Sequence, residues 1–158
     1  MDEGDPAMMR EAIALSIASV GEGGGPFGCV VVKNGVIVGR GANRVTRDND
    51  PTAHAEVVAI RDACARLGSH QLEGCDIYAS CEPCPMCLAA SYWARPARIF
   101  FASTAADAAA VGFDDAFIDA ELGRRPPALR ALPLRQMLRE EALAAYAAWT
   151  AKLDRTHY

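Results

Sequence analysis

Lysine is nearly missing from this chain: only Lys33 and Lys152 stand among its 16 basic residues. Acidic residues number 20, so the formal net charge is -4, and no bulk electrostatic attraction draws the chain to a polyanion. Nucleic acid is therefore not an expected partner. No stretch approaches the ~18 consecutive apolar residues that a membrane-spanning helix needs, which argues against a membrane partner. The opening Met1-Asp2-Glu3-Gly4-Asp5 is acidic where a secretory leader is basic, and no continuous apolar core precedes a cleavage site. A cytoplasmic protein is expected. Repeats of fixed period and low-complexity tails are also missing, which excludes solenoids and fibrous architectures.

Cysteine, by contrast, is present six times, all between Cys29 and Cys87. In a reducing compartment, closely spaced cysteines read as metal ligands or buried thiols rather than disulfides. Attention falls on Cys81, Cys84 and Cys87.

With 158 residues and 51% hydrophobic content, the chain has the size of one ordinary domain with its own core. Met9, Ile13, Ile17 and Val20 recur at helical spacing over residues 6 to 20, with Asp5 as N-cap and Pro6 at the first helical position. Residues 27 to 33 and 36 to 42 are β-prone, and Asn34-Gly35 between them predicts a tight hairpin. Asp50-Pro51-Thr52 opens a second predicted helix that runs to about Leu67, with Val57, Ile60, Ala63 and Cys64 as its stripe and Gly68 as its stop. A strand over 75 to 80, a helix over 83 to 94 and a strand over 98 to 103 follow. Residues 123 to 133, rich in proline and arginine, read as an irregular linker before a helix over 134 to 153. Alanine clusters at 105 to 110 and 142 to 148 reflect helix propensity. Helix alternating with strand after the hairpin predicts an α/β layered domain whose later strands run parallel.

Thr52-Ala53-His54-Ala55-Glu56 is followed, after 26 intervening residues, by Pro83-Cys84-Pro85-Met86-Cys87. On a helical first turn, Cys84 and Cys87 share a face, and the helix N-terminus favours their thiolate forms. His54 and Glu56 diverge by about 200° on a regular helix, so they are expected to play different roles. One imidazole and two thiolates leave a tetrahedral zinc ion an open fourth position. Zinc can bring the pKa of water from near 15.7 toward roughly 7 to 9, and Glu56 is the natural proton carrier beside it. Cys81 is the competing fourth ligand; a closed four-ligand site would make this a non-enzymatic zinc module.

The two motifs together form H-x-E…P-C-x-x-C, the known signature of zinc nucleobase deaminases. To them the chain adds Gly25-Pro26-Phe27-Gly28, Asn43, Asn49 to Glu56, Tyr92-Trp93-Ala94-Arg95-Pro96, Gly112-Phe113-Asp114-Asp115 and a terminal Tyr158. With these segments it resembles the cytidine deaminase superfamily and, within it, the small bacterial guanine deaminases. The resemblance implies a three-layer α/β fold, a central mixed sheet flanked by helices, spanning 1–158 as a single deaminase domain. It also implies a hydrolase acting on C–N bonds of cyclic amidines, which deaminates guanine to xanthine and ammonia. A homodimer is implied, with 134–158 as a C-terminal helical segment exchanged between subunits.

By the same resemblance, His54, Cys84 and Cys87 would hold Zn2+ and Glu56 would be the catalytic acid and base. Asn43 would hydrogen-bond the purine base, with the Ala55 backbone beside it. Asp115 would be the specificity carboxylate, with Asp114 as its rival, because guanine offers paired N–H donors to two carboxylate oxygens. Tyr158 would close the pocket through its phenol or its terminal carboxylate. Phe27 and Trp93 either stack on the base or belong to the core. Asn43 alone also fits a turn, and Asp114-Asp115 a helix cap. Competing enzymes on the same motifs are a tRNA adenosine deaminase and deaminases of cytosine, adenine or guanosine.

Overall fold

The computed structural model describes residues 4–124, 131–132, 134–154 and 156. It divides the chain into two compact units, Met1–Asp115 and Ala116–Tyr158. In the first unit, α1 (Pro6–Gly21) starts as expected: the Asp5 carboxylate accepts from Ala7 N at 2.8 Å, and Pro6 occupies a position whose N–H would have no helical partner. The buried face differs from the predicted stripe. Ala12 and Ser19 are buried and Met8, Met9 and Leu15 pack beside them, while Ile17 and Val20 face outward. Close approach selects that face: a Cβ on Gly28 would stand 2.2 Å from Ala12 O, so small residues let the helix backbone settle on the sheet.

Strands β1 (Gly28–Lys33) and β2 (Val36–Ala42) form the predicted antiparallel hairpin, with Gly28 opposite Ala42 and Lys33 opposite Val36. Asn34 and Gly35 both take positive φ at its turn. A four-residue helix, α2 (Val45–Asp48), was not predicted. Helix α3 (Ala55–Leu67) starts later than the Asp50-Pro51-Thr52 signal suggested. Asp50 instead builds a local turn, its Oδ1 accepting from Thr52 N at 2.8 Å and Thr52 Oγ1 at 2.7 Å. Gly68 closes α3 in the left-handed conformation, as predicted.

Strand β3 (Cys75–Cys81) joins β1 antiparallel, and β4 (Arg98–Ser103) joins β3 parallel across the crossover helix α4 (Pro85–Ala94). The order β2-β1-β3-β4 makes the sheet mixed; among the later strands only the β3–β4 pair has the predicted parallel sense. Side chains alternate between two cores. Val30, Val32 and Tyr78 meet α1 on one face, while Cys29, Val31 and Ile77 meet α3 and Ala94 of α4 on the other. This is a three-layer arrangement of helix, sheet and helix. Helix α5 (Ala105–Ala110) then uses the first alanine cluster.

In the second unit, α6 (Ala116–Gly123) is an element the sequence patterns did not single out. Helix α7 (Arg139–Ala151) is shorter than the predicted 134 to 153. Leu138 sits at its N-cap in the left-handed region, and Glu140 and Glu141 occupy the first turn, where the helix dipole favours acids. The predicted linker over 123 to 133 lies largely outside the described residues.

Candidate active site

Both β3 and β4 end, and α3 and α4 begin, at one end of the sheet. The first phenylalanine before β1 and the asparagine after β2 lie at that same end, because those strands run antiparallel. Small residues bring α3 onto β2: a Cβ on Gly41 would stand 2.1 Å from Ala55 O and 2.5 Å from Ala59 N. The helix start is thereby set directly over the strand. His54 precedes α3 as its N-cap with φ -67° and ψ 155°, and Glu56 is the second helical residue. The 200° divergence expected on a regular helix does not arise, because His54 lies in extended backbone. Both side chains reach one cavity.

Cys84 is likewise the N-cap of α4 rather than a residue of its first turn, and Cys87 is the third helical residue. Cys84 Sγ accepts from Cys87 N at 3.5 Å and lies 3.5 Å from His54 Nδ1. The hydrogen bond with the Cys87 thiol, reinforced by His54, brings the Cys84 pKa down to about 4. Cys87 moves the other way, held protonated by its hydrogen bond to Cys84, by burial and by Glu56. The two thiols thus shift in opposite directions, Cys84 toward thiolate and Cys87 toward its protonated form. His54 is raised above the usual imidazole range, first by Cys84 and further by the negative charges of Glu56 and Asp115.

Cys87 Sγ also lies 3.3 Å from Glu56 Oε2. Glu56 is only 8% exposed, and burial pushes its carboxyl pKa up, with the Cys87 contact and His54 opposing that rise.

One ring nitrogen of His54 and the sulfurs of Cys84 and Cys87 all fall within 4.8 Å of one another. One imidazole and two soft thiols at this spacing fit zinc. Cys81 is not part of that group; its thiol lies 3.6 Å from Thr104 O and forms part of the cavity wall.

The cavity beside these donors has a volume of about 250 Å³, at the small end for a ligand site. Phe27 and Phe113 meet edge to face across 4.9 Å, and Asp114 and Asp115 line the same space. Asn43 is buried, and its Oδ1 accepts from Gly25 N at 3.4 Å and Val45 N at 3.3 Å. Two backbone N–H groups on that oxygen fix the amide orientation, so Nδ2 is the side that a ligand would meet. Ser19 Oγ donates to Asn43 O at 3.2 Å and Asn43 N donates to Phe27 O at 3.0 Å, which locks the residue from three directions.

Of the residues singled out from sequence, His54, Glu56, Cys84, Asn43, Phe27, Asp114 and Asp115 come together around this cavity. Cys87 joins behind them through its contacts to Glu56 and Cys84. Ala55 is buried between His54 and Glu56, with its side chain in the core. Trp93 is not in the cavity wall; it is 66% exposed on α4, and Tyr158 lies outside the described residues. Glu82, Ala105, Ala108 and Gly112 also line the cavity and were missed. Small apolar residues leave no chemical signature, and only the neighbourhood of Glu82 to the cysteine motif pointed toward it.

Residues 2–103 match the family model of the cytidine and deoxycytidylate deaminase zinc-binding region. The chain belongs to this family of zinc-binding deaminases. Guanine deaminase of Bacillus subtilis (strain 168) is 49% identical over 151 residues, 95% of this chain and 96% of the relative. The X-ray structure of guanine deaminase from Bacillus subtilis matches with a TM-score of 0.94 at 47% identity, covering 98% of this chain and 99% of that one. Within the family, the chain groups with the guanine deaminases. The structure of guanine deaminase from Nitrosomonas europaea matches at a TM-score of 0.68 and 30% identity, over 94% of this chain and 86% of that one. A tRNA-specific adenosine deaminase of Aquifex aeolicus (strain VF5) is 44% identical over 78 residues, but those cover only 49% of this chain and 52% of the relative.

Proposed function

We propose that this chain is a zinc-dependent hydrolase that converts guanine to xanthine and ammonia. The observation that carries the reading is one cavity lined by both sets of groups: His54, Glu56 and Cys84 for the chemistry, and Asn43, Asp114 and Asp115 for recognition of the base. The 49% identity to a guanine deaminase over nearly the whole chain agrees with it.

Zinc, held by His54, Cys84 and Cys87, would supply Lewis acidity that brings the pKa of water toward neutrality. The protein residues do the rest. Asn43 Nδ2 donates to an acceptor on the purine, and Asp115 accepts from the adjacent N1–H and N2–H donors of guanine, with Asp114 as the alternative acceptor. Phe27 and Phe113, packed edge to face, form an apolar part of the cavity wall that excludes water from the base. Glu56 takes one proton from the water that attacks C2 and delivers it to a ring nitrogen, then takes the second from the hydroxyl now on C2 and passes it to the amine as the C–N bond breaks and the C2 carbonyl forms. Its buried position suits the proton uptake in this exchange, because a carboxylate whose pKa is raised by burial is a stronger base.

The same reading makes 1–158 one functional deaminase domain in a cytoplasmic homodimer, with 134–158 exchanged and Tyr158 closing a site. It takes the free purine base and no nucleic acid, in keeping with the acidic net charge. A panel of guanine, guanosine, adenine, cytosine and tRNA, assayed for released ammonia, tests the substrate. Guanine should lead it; turnover of tRNA with a steep salt dependence would overturn the reading in favour of the tRNA enzyme. Sedimentation of the enzyme at assay concentrations tests the dimer, and a fully active monomer would remove it.

A further inference from the structure

Glu82 follows β3 directly and stands between Cys81 and Cys84. Its backbone N donates to Ser103 O at 2.8 Å, and its Oε2 accepts from Ala105 N, the first amide of α5, at 2.9 Å. Helix α5 has only six residues, well below the ~12–15 at which an isolated helix holds together in water, so its placement must come from contacts outside itself. Thr104 and Asp107 form a capping box at its start, with Thr104 N on Asp107 Oδ2 at 2.8 Å and Asp107 N on Thr104 Oγ1 at 3.2 Å. Those bonds stabilise the turn but tie it to no other element.

At the far end, Val111 N and Phe113 N both donate to Ala108 O, and Gly112 reverses the chain at φ +98°. That reversal brings Phe113 against Phe27 and places Asp114 and Asp115 in the cavity wall. The segment from Thr104 to Asp115 is thus a short piece held to the body by the Phe113–Phe27 contact at one end and, at the other, by the Glu82 carboxylate on Ala105 N and the Cys81 thiol on Thr104 O. Glu82 lines the cavity too, as do Glu56, Asp114 and Asp115. Its carboxylate is the one there that bonds the Ala105 amide N–H, a charge-assisted contact.

We propose that Glu82 is a positioning residue for substrate recognition, one that fastens α5, and through it the Asp114–Asp115 wall, to the loop carrying Cys84. The kinetic part of this proposal rests on the guanine reading; the structural part does not. Two variants separate the roles, because Glu82→Ala removes the acceptor and Glu82→Gln keeps an acceptor oxygen without the charge. Amide hydrogen exchange on the full-length zinc enzyme should show protection of Ala105 N–H falling about tenfold or more in Glu82→Ala and restored in Glu82→Gln. Guanine kinetics should show KM rising about tenfold in Glu82→Ala with kcat within about threefold, and KM recovered in Glu82→Gln. Zinc per chain should match the parent in both.

Unchanged protection in Glu82→Ala overturns the proposal, as does lost protection with an unchanged KM. A Glu82→Gln variant as impaired as Glu82→Ala overturns it as well, because the charge would then be acting on substrate directly. Should the parent enzyme not turn over guanine, the functional reading fails visibly in that control, and the exchange comparison still decides whether Glu82 fastens α5.

Discussion

Cys87 Sγ lies 3.3 Å from Glu56 Oε2, so a thiol that must lose its proton to bind zinc points at the carboxylate assigned to move protons. The contact couples the two halves of the chemistry. On the proposed function, the thiolate that would balance the metal charge and the carboxylate that would shuttle protons lie within one hydrogen bond of each other, and Glu56 is only 8% exposed. A change at either residue should therefore be read with metal content and turnover measured side by side.

Glu56→Gln preserves shape and an acceptor oxygen while removing the proton carrier. Turnover should fall by roughly 10² to 10⁴ with zinc content unchanged. Steady-state kinetics with metal analysis on the same sample is the check, and an equally active variant would refute the role.

Cys84→Ser should lose zinc and activity together, because serine stays protonated near pH 7 and lacks the soft donor. Cys81→Ser should keep the parent stoichiometry, since the Cys81 thiol contacts Thr104 O and is outside the three-residue donor group. Metal analysis after dialysis separates the two, and zinc loss from Cys81→Ser would revive the four-ligand site.

Asn43→Asp keeps an oxygen for Gly25 N and Val45 N and replaces the Nδ2 donor with an acceptor. We expect kcat/KM for guanine to fall by about 100-fold or more with little change in melting temperature. A comparable loss of folding stability would show that the residue is only structural.

Asp115→Asn should cost more in kcat/KM than Asp114→Asn, by a factor of about ten, because Asp115 is the carboxylate whose charge reaches His54. The reverse ranking would exchange their roles. Parallel kinetics on the two variants decides it.

Gly41→Ala places a Cβ 2.1 Å from Ala55 O, which backbone cannot relieve cheaply. Overpacking of this kind costs about 1–3 kcal/mol, a drop of roughly 2–10 °C in melting temperature by calorimetry. Turnover should fall as well, because the displaced backbone carries His54 and Glu56. A variant with unchanged melting temperature would show that α3 tolerates the shift.

The donor set was legible because zinc chemistry allows few residue types and the two motifs bring all of them. The hairpin was legible because Asn34-Gly35 has one good backbone solution. The start of α3 was misplaced because Asp50 has the same local bonding habit in a turn as at a helix cap, and only the surrounding packing decides between them. The α1 face was misread because periodicity counts bulk, whereas Gly28 and Ala12 win by permitting backbone contact. Glu82 was missed because its partner is a backbone amide 23 residues away, a pairing that no local pattern encodes.

The contact of α3 with the bare backbone of β2 has a consequence for altering this catalyst. Gly39 and Gly41 leave no room on that side, where added Cβ atoms would meet Ala59 O at 2.6 Å and Ala55 O at 2.1 Å. Reshaping the range of accepted rings is therefore a task for another part of the lining, Ala105, Ala108 and Phe113, which hold none of the metal donors. Selection experiments that randomise both regions should recover their winners almost wholly from the second.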